Sequence, residues 1–489
     1  MSRRTQESIA VAALLLLWTT LLQWPSRSIG LFYDDFLVFR HYSASTVLHS
    51  WWVDLAVLTS PDLWVHVYRP MTLLVHALTF EIFGFRPDNL LAARILMVAG
   101  ISTCLYVWVR TLEVNKSTAL FSALLFPAFP PNFYAFTWNT EIGAISSLIW
   151  LLLSFIFATR SLQRESRAPL ILSGLCWTLA LLTKEVVVPL VVIFPVLWFF
   201  CGQRERWIDG LSFSVSFLVV TAIYVGVRFV VLSGAWGAQG VRPGLSNSLV
   251  LLNNYVVYLA WMAYGLPVRL ARNNRLSDQA RLLVLIGLPI LFAPLACAGV
   301  EFMRTARALY RGALLAGMRG LEPVKKQIWL GAAMTLSGGL ICGLYPRPRI
   351  MFAAAVGPVL MIGTLPDILR QSAGLKRAGV AAICVLVLGV NALYYFDLVQ
   401  GRNSDFVRSR ALHQVHSYFE LGHLFEAWNM PEQAEYLRAL LVDEDLVDAK
   451  SGGLREDRFR EYLTATGCPA ACATAFISRM QSFRGAYQK

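Results

Sequence analysis

The chain has 489 residues, of which 56% are hydrophobic and only 15% are charged, and its mean hydropathy is +0.55. This composition excludes an ordinary soluble domain and is typical of a polytopic membrane protein, because about 20 apolar residues can span a bilayer as a helix. The formal net charge of +13 collects in short connectors between apolar runs. That is the positive-inside pattern, so the charge indicates topology rather than nucleic-acid binding.

The apolar runs predict an all-α membrane protein with about eleven transmembrane helices. The first run follows Arg3 and Arg4 and ends near Trp24. No small-residue cleavage site follows it, so we interpret it as a retained helix rather than a signal peptide. Residues 1–396 would form the transmembrane domain, and residues 397–489 a small helical soluble domain on the outer side.

The first outer loop, residues 25–89, is predicted to contain two short amphipathic helices. One is "SASTVLHSWWVDLAV", and the other is "RPMTLLVHALTFEIFG", with Pro70 in its first turn and Gly84 at its end. Both are too short to cross the bilayer and carry polar residues on an apolar face. We therefore expect them to lie on the outer leaflet beside the membrane.

The second half of the chain is harder to divide into crossings. If residues 249–266 and 282–300 both crossed, the basic stretch 304–326 would lie outside, against the charge rule. We therefore interpret 249–266 as an interfacial or re-entrant helix. On that topology "YPRPR" (345–349) is outside, and a last span over 378–396 leads to the outer C-terminal domain.

The cysteines divide into two groups. Six lie within or beside apolar runs, where a packing role is expected. Cys468 and Cys472 lie in the C-terminal tail and either close a small disulfide or remain two free thiols.

Several polar groups are predicted to converge at the outer membrane face. Ionisable residues at helix ends in apolar surroundings are functional candidates, because burying an unused charge costs several kcal/mol. The candidates are Asp34, Asp35, Tyr68, Arg69, Glu141, Lys184, Glu185, Arg347 and Arg349.

Most of these candidates also have a purely structural interpretation. The alternatives are a solvated helix start for Asp34 and Asp35, a first-turn cap for Glu141, a snorkelling hairpin tip for Lys184 and Glu185, and a charged turn for Arg347 and Arg349. The histidines of the first loop lack the spacing of a zinc site.

Acids together with several cations at a lipid-facing site favour transfer from a lipid phosphate. A phosphate ester is already a good leaving group, so the enzyme needs cations for the departing phosphate and one carboxylate for the proton of the attacking hydroxyl. Glycoside hydrolysis, by contrast, requires a second carboxyl to protonate the leaving group. Nucleotide-dependent chemistry is disfavoured because the sequence has no phosphate-binding glycine loop.

Five motifs occur in order along roughly residues 10–370. They are "FYDDF" (32–36), "YRPMTLLVHALTFEIFGFRPDNLLAARIL" (68–96), "WNTE" (138–141), "LALLTKEVVVPL" (179–190) and "YPRPRIMF" (345–352). In this order they resemble the GT-C superfamily of membrane glycosyltransferases, which use polyprenyl-phosphate sugars. Within it, they resemble the protein O-mannosyltransferase-like or glycosyltransferase 39-like branch.

The sequence departs from that branch at several positions. Asn139 replaces an arginine, Phe129 replaces a histidine, and Ile350 and Phe352 replace tyrosines. The tetratricopeptide repeats of many such members are not seen. These departures bear on the acceptor more than on the reaction.

The resemblance implies a role for each candidate. Asp34 would be the base on the acceptor hydroxyl, Asp35 its neighbour, and Glu141 a second acid near the sugars. The donor-binding set that it implies is Lys184, Arg349, Arg347, Arg69, Tyr68 and Tyr345. A metal is not required, although Asp35 and Glu141 could hold Mg²⁺ or Mn²⁺.

We therefore expect an inverting glycosyltransferase that moves a sugar from a polyprenyl-phosphate donor to a hydroxyl on a protein, lipid or glycan. It would lie in the bacterial inner membrane with its site facing the periplasm, among membrane lipids and without a nucleic-acid partner. Two alternatives remain open, a polyprenyl-linked glycan polymerase, ligase or flippase, and a transporter. The transporter is disfavoured because the sequence shows no internal two-fold repeat.

Overall fold

The computed structural model describes most of the first 231 residues and three later segments. The described ranges are 3–29, 69–84, 87–138, 141–164, 166–202, 207–231, 322–344, 352–372 and 377–393, with isolated positions at 300, 395–396, 399 and 457–458. The acid pair, the predicted helix "SASTVLHSWWVDLAV", residues 232–299, the "YPRPR" stretch and nearly all of the C-terminal domain lie outside these ranges.

Every regular element within these ranges is helical, as the apolar periodicity predicts. The α-helices are α1 (Arg3–Gln23), α2 (Pro70–Phe83), α3 (Pro87–Thr111), α4 (Lys116–Ala128), α5 (Phe133–Thr137), α6 (Ile142–Arg164), α7 (Arg167–Thr183), α8 (Ile193–Cys201), α9 (Trp207–Val231), α10 (Pro323–Leu344), α11 (Val356–Gly363), α12 (Leu365–Ser372) and α13 (Arg377–Leu393). Short 3-10 helices cover Trp24–Ile29, Pro130–Asn132 and Glu185–Val192.

Four of the described helices are long and apolar enough to cross a membrane. The candidate spans are Gln6–Arg27, Asp88–Thr111, Ile142–Arg164 and Gly210–Val230. Side chains such as Leu17 of α1 and Ile223 and Val230 of α9 are exposed although they are large and apolar, as expected where lipid covers a helix. These features support an integral membrane protein, and the total of eleven crossings stays a prediction.

An aromatic core joins α3, α6, α8 and α9. The rings of Trp108 in α3 and Phe155 in α6 have centroids 5.0 Å apart. Phe194 in α8 stacks on Phe217 in α9 at 3.6 Å and also packs edge-on against Phe155. Aromatic pairs of this kind add about 0.5–1.5 kcal/mol to the energy of burial, so this core fixes how the ends of α6, α8 and α9 lie relative to one another.

Helix α2 has the boundaries that its sequence predicts. Pro70 occupies its first turn, and Gly84 ends it with a φ of 72°, a backbone conformation that glycine adopts without strain. One face of α2 packs on the protein, because His76 and Thr79 are buried and the hydroxyl of Thr72 donates to the carbonyl of Thr183. Helix α2 belongs to the predicted loop in sequence, and in the structure it packs against the helix bundle.

Helices α10 and α11 pack backbone to backbone through two glycines. A methyl group on Gly331 would lie 2.7 Å from the carbonyl oxygen of Gly357, and one on Gly357 would lie 2.6 Å from the carbonyl oxygen of Gly331. Next to this contact, Gln327 donates to the carbonyl of Leu360 at 2.8 Å. Phe352 lies just before α11, so this close contact also holds Phe352 near α10.

We expect Gly331→Ala to lower the free energy of unfolding by about 1–3 kcal/mol, because the added methyl group meets a backbone oxygen that cannot rotate away. Gly174→Ala in α7 is the matched control, since nothing lies within 4 Å of a methyl group there and alanine is the better helix former. Thermal unfolding of the purified protein in detergent measures both. Equal stability of the two variants would contradict the close packing of α10 and α11.

Candidate functional site

Five charged residues from four parts of the chain come together at one end of the helix bundle. Arg69 precedes α2, Glu141 precedes α6, Lys184 and Glu185 follow α7, and Arg228 lies in the last turn of α9. Ion pairs connect them in two groups. We refer to these five residues as the charged cluster.

The break after α7 determines where two of these side chains point. Lys184 ends α7 with extended backbone angles (φ −156°, ψ 131°), and the chain continues as the 3-10 helix Glu185–Val192, which contains Pro189. Proline has no N–H to donate and is poorly tolerated in the interior of an α-helix. The break lets the adjacent side chains of Lys184 and Glu185 reach different partners.

Lys184 pairs with Glu141 in the interior of the bundle. Its ammonium donates to Oε2 of Glu141, and the two side chains are only 7% and 5% exposed. The Lys184 ammonium also lies 5.9 Å from the centre of the Phe352 ring. The end of the "YPRPRIMF" motif is therefore beside this ion pair.

Arg69 and Glu185 form the second group together with Arg228. The Nε of Arg69 donates to Oε2 of Glu185 at 2.7 Å, and a terminal guanidinium nitrogen donates to Oε1. This two-bond arrangement is the strong, geometrically specific form of an arginine–carboxylate pair. Arg228 is a second partner of the same carboxylate, with its Nη1 3.5 Å from Oε2.

Burial and the neighbouring carboxylates shift the pKa values of Lys184 and Arg69 in opposite directions. Burial lowers the pKa of Lys184, although the Glu141 carboxylate opposes this shift. Burial also opposes the charged form of Arg69, but the Glu185 carboxylate outweighs it and raises the pKa. The Glu185 carboxylate therefore favours the charged form of Arg69, and the Glu141 carboxylate favours the charged form of Lys184.

The charged cluster has one more cation than anions. Arg69, Lys184 and Arg228 face the two carboxylates of Glu141 and Glu185. One net positive charge in a low-dielectric environment attracts an anion strongly. The arrangement is therefore suited to binding a single anionic group, and the partly exposed Arg69 is the cation through which that group would enter.

Four of the predicted candidates, Glu185 among them, are brought together, and the others lie outside the described ranges. Arg69, Glu141 and Lys184 share the charged cluster, as the predicted topology implies. The snorkelling interpretation of Lys184 and Glu185 does not fit, because Lys184 is buried and both side chains are paired. The site residues that the structure does not describe are Asp34, Asp35, Tyr68, Tyr345, Arg347 and Arg349.

Arg228 was not predicted from the sequence. It lies in the apolar stretch "TAIYVGVRFVV" (221–231), and an arginine within a membrane helix is itself a signal of function. Tyr224, one turn earlier in α9, is buried as well. An arginine in this apolar stretch therefore marks a candidate site residue, but the sequence does not identify Glu185 as its partner.

The described residues contain no group of three or more His, Cys, Asp or Glu that could hold a metal ion. Of the two residues proposed for Mg²⁺ or Mn²⁺, Glu141 is bound to Lys184, and Asp35 is not among the described residues. The metal hypothesis therefore depends on Asp35, and removal of divalent cations with a chelator tests it.

Residues 67–230 match the family model described as dolichyl-phosphate-mannose-protein mannosyltransferase. The matched segment contains all five residues of the charged cluster. It supports a place in the GT-C superfamily and a mannosyltransferase-like glycosyltransferase activity. A search of curated proteins found no match to the chain.

Removing one partner of the Lys184–Glu141 pair should destabilise the protein more than removing both. Lys184→Met leaves a buried carboxylate without its cation, and we expect it to lower the free energy of unfolding by about 3–5 kcal/mol. The double variant Lys184→Met/Glu141→Gln removes both charges and should recover most of that loss. Thermal unfolding in detergent measures the cycle, and a double variant less stable than Lys184→Met would contradict the pairing.

Proposed function

We propose that the protein is an inverting glycosyltransferase that moves a sugar from a polyprenyl-phosphate donor to a hydroxyl acceptor at the periplasmic face of a bacterial inner membrane. Residues 1–396 would form its catalytic domain and residues 397–489 a soluble domain. The observation that carries the proposal is the net positive charged cluster within the segment that matches a lipid-phosphate-dependent mannosyltransferase family.

The donor phosphate would bind at Arg69 and Lys184. Arginine matches two phosphate oxygens with its planar fork, and lysine acts as a point charge. Arg349 would join them, as the resemblance of the "YPRPRIMF" motif implies, and the last residue of that motif, Phe352, lies beside Lys184. Arg347, Tyr68 and Tyr345 complete the proposed set around the phosphate.

Asp34 would act as the general base. It accepts the proton of the acceptor hydroxyl while the hydroxyl oxygen attacks the anomeric carbon opposite the phosphate. The bond from that carbon to the phosphate oxygen breaks, and the cations stabilise the departing phosphate. Attack from the opposite face inverts the anomeric centre, and positioning and electrostatics supply most of the rate. Asp35 would orient Asp34, and Glu141 would keep Lys184 charged beside the sugar.

We expect Asp34→Asn to reduce transfer by at least about a hundredfold, because general-base catalysis typically contributes that much. Asp88→Asn removes an exposed carboxylate from the first turn of α3 and is the control, with transfer near that of the wild type. Turnover of a radiolabelled polyprenyl-monophosphate sugar measures both. Near wild-type turnover by Asp34→Asn would mean that another group is the base.

The same assay separates the proposal from its rivals. A glycan polymerase, ligase or flippase would act on a lipid-diphosphate glycan instead of the lipid-monophosphate sugar. A transporter would move its substrate across a proteoliposome without breaking a glycosidic bond. Transfer from the monophosphate donor alone is the result that we expect, and turnover of only the diphosphate glycan would contradict the proposal.

We expect transfer to persist after treatment with a chelator, because Lys184 already neutralises Glu141 and cations of the protein surround the phosphate. The measurement is turnover before and after EDTA, with Mg²⁺ or Mn²⁺ added back. Loss of turnover that either ion restores would instead assign a divalent cation to Asp35 and Glu141.

A further inference from the structure

Glu185 is shared between two arginines that differ in exposure. The Arg69 side chain is 24% exposed and that of Arg228 only 5%, with Glu185 between them at 20%. Arg69 holds the carboxylate by two hydrogen bonds, whereas Arg228 approaches it at 3.5 Å. An incoming anion can therefore reach Arg69 but not Arg228.

A phosphate and the Glu185 carboxylate compete for the same guanidinium fork. Both present two oxygens with the geometry that arginine prefers. If a phosphate took this fork, Glu185 would lose its main partner and would stand as a second negative charge beside the first. A largely buried carboxylate without a cation is unfavourable, so this exchange needs another cation already close to Glu185.

We propose that Glu185 is an exchangeable counter-ion of Arg69, and that Arg228 is the positioning residue that holds Glu185 when a lipid phosphate binds Arg69. This inference rests on the proposed function. The Arg228 side chain is only 5% exposed, so it would act on the bound phosphate through Glu185 and not by direct contact.

The charge of the charged cluster is consistent with this exchange. Its net charge of one positive unit equals, with opposite sign, the charge of a phosphodiester such as a polyprenyl-phosphate sugar. If Arg228 were neutral, the remaining two cations would only balance the two carboxylates. Within the charged cluster, the donor would then add a negative charge that no remaining cation of the five residues compensates.

A merely structural Arg228 is the alternative. It would fasten α9 to the segment that follows α7, and its removal would loosen the fold whether or not Glu185 is charged. The two roles differ in a double-mutant cycle, because residues that act through one another give non-additive effects.

The test measures binding of a polyprenyl phosphate to the purified protein in lipid nanodiscs. We expect Arg228→Gln to weaken this binding about tenfold, a coupling of ordinary size for a charge pair. Glu185→Gln should bind at least as tightly as wild type, since it removes the competitor. In the double variant, Arg228→Gln should then change the affinity of Glu185→Gln by less than about threefold.

Two further variants serve as controls. Arg228→Lys keeps the charge near Glu185 and should stay within about threefold of wild type, since the 3.5 Å contact does not use the arginine fork. Arg110→Gln removes a guanidinium that donates to the carbonyl of Val114 at the far end of α3, and should bind like wild type. Unfolding temperatures of all variants identify any that fail to fold.

The outcomes distinguish failure of the role proposed for Arg228 from failure of the proposed function. Wild-type affinity in Arg228→Gln, or an equal loss with and without Glu185, overturns the role of Arg228 while the proposed function stands. Failure of the wild-type protein to bind polyprenyl phosphate overturns the proposed function, and this inference with it. Inorganic phosphate, tested in parallel, shows whether the cluster recognises the phosphate alone or requires the lipid.

Discussion

Two carboxylates face three cations where four helix ends meet, and the rest of the site depends on this charge balance. Glu141 holds Lys184, and Glu185 holds Arg69 with Arg228 behind it. A charge buried without a partner costs several kcal/mol. The pairs therefore stabilise the ends of α2, α6, α7 and α9 against one another, and the single unbalanced positive charge remains available for a ligand.

The break in the helix at Lys184 connects this electrostatic balance to the architecture. A continuous helix would turn successive side chains by about 100° and space them 1.5 Å along the axis. The extended residue and the 3-10 turn that follows instead direct Lys184 toward α6 and Glu185 toward α2 and α9. The aromatic core around Phe194 holds the adjoining helices, so the break is a fixed feature of the fold.

Several parts of this arrangement follow from the sequence, and others do not. Pro70 and Gly84 mark the ends of α2 because each residue has a strong local backbone preference, and the charge rule places Arg69, Glu141 and Lys184 at one membrane face. The pairing of neighbouring Lys184 and Glu185 with different partners depends on tertiary packing, which no local pattern encodes. The partnership of Arg228 with Glu185 joins α9 to the end of α7 and could not be inferred for the same reason.

The most direct test of the account is a structure of the protein with a bound polyprenyl phosphate. We expect phosphate oxygens within hydrogen-bond distance, roughly 3 Å, of the Arg69 guanidinium and the Lys184 ammonium, with Glu185 turned toward Arg228. A phosphate bound elsewhere, with the Arg69–Glu185 hydrogen bonds intact, would contradict it.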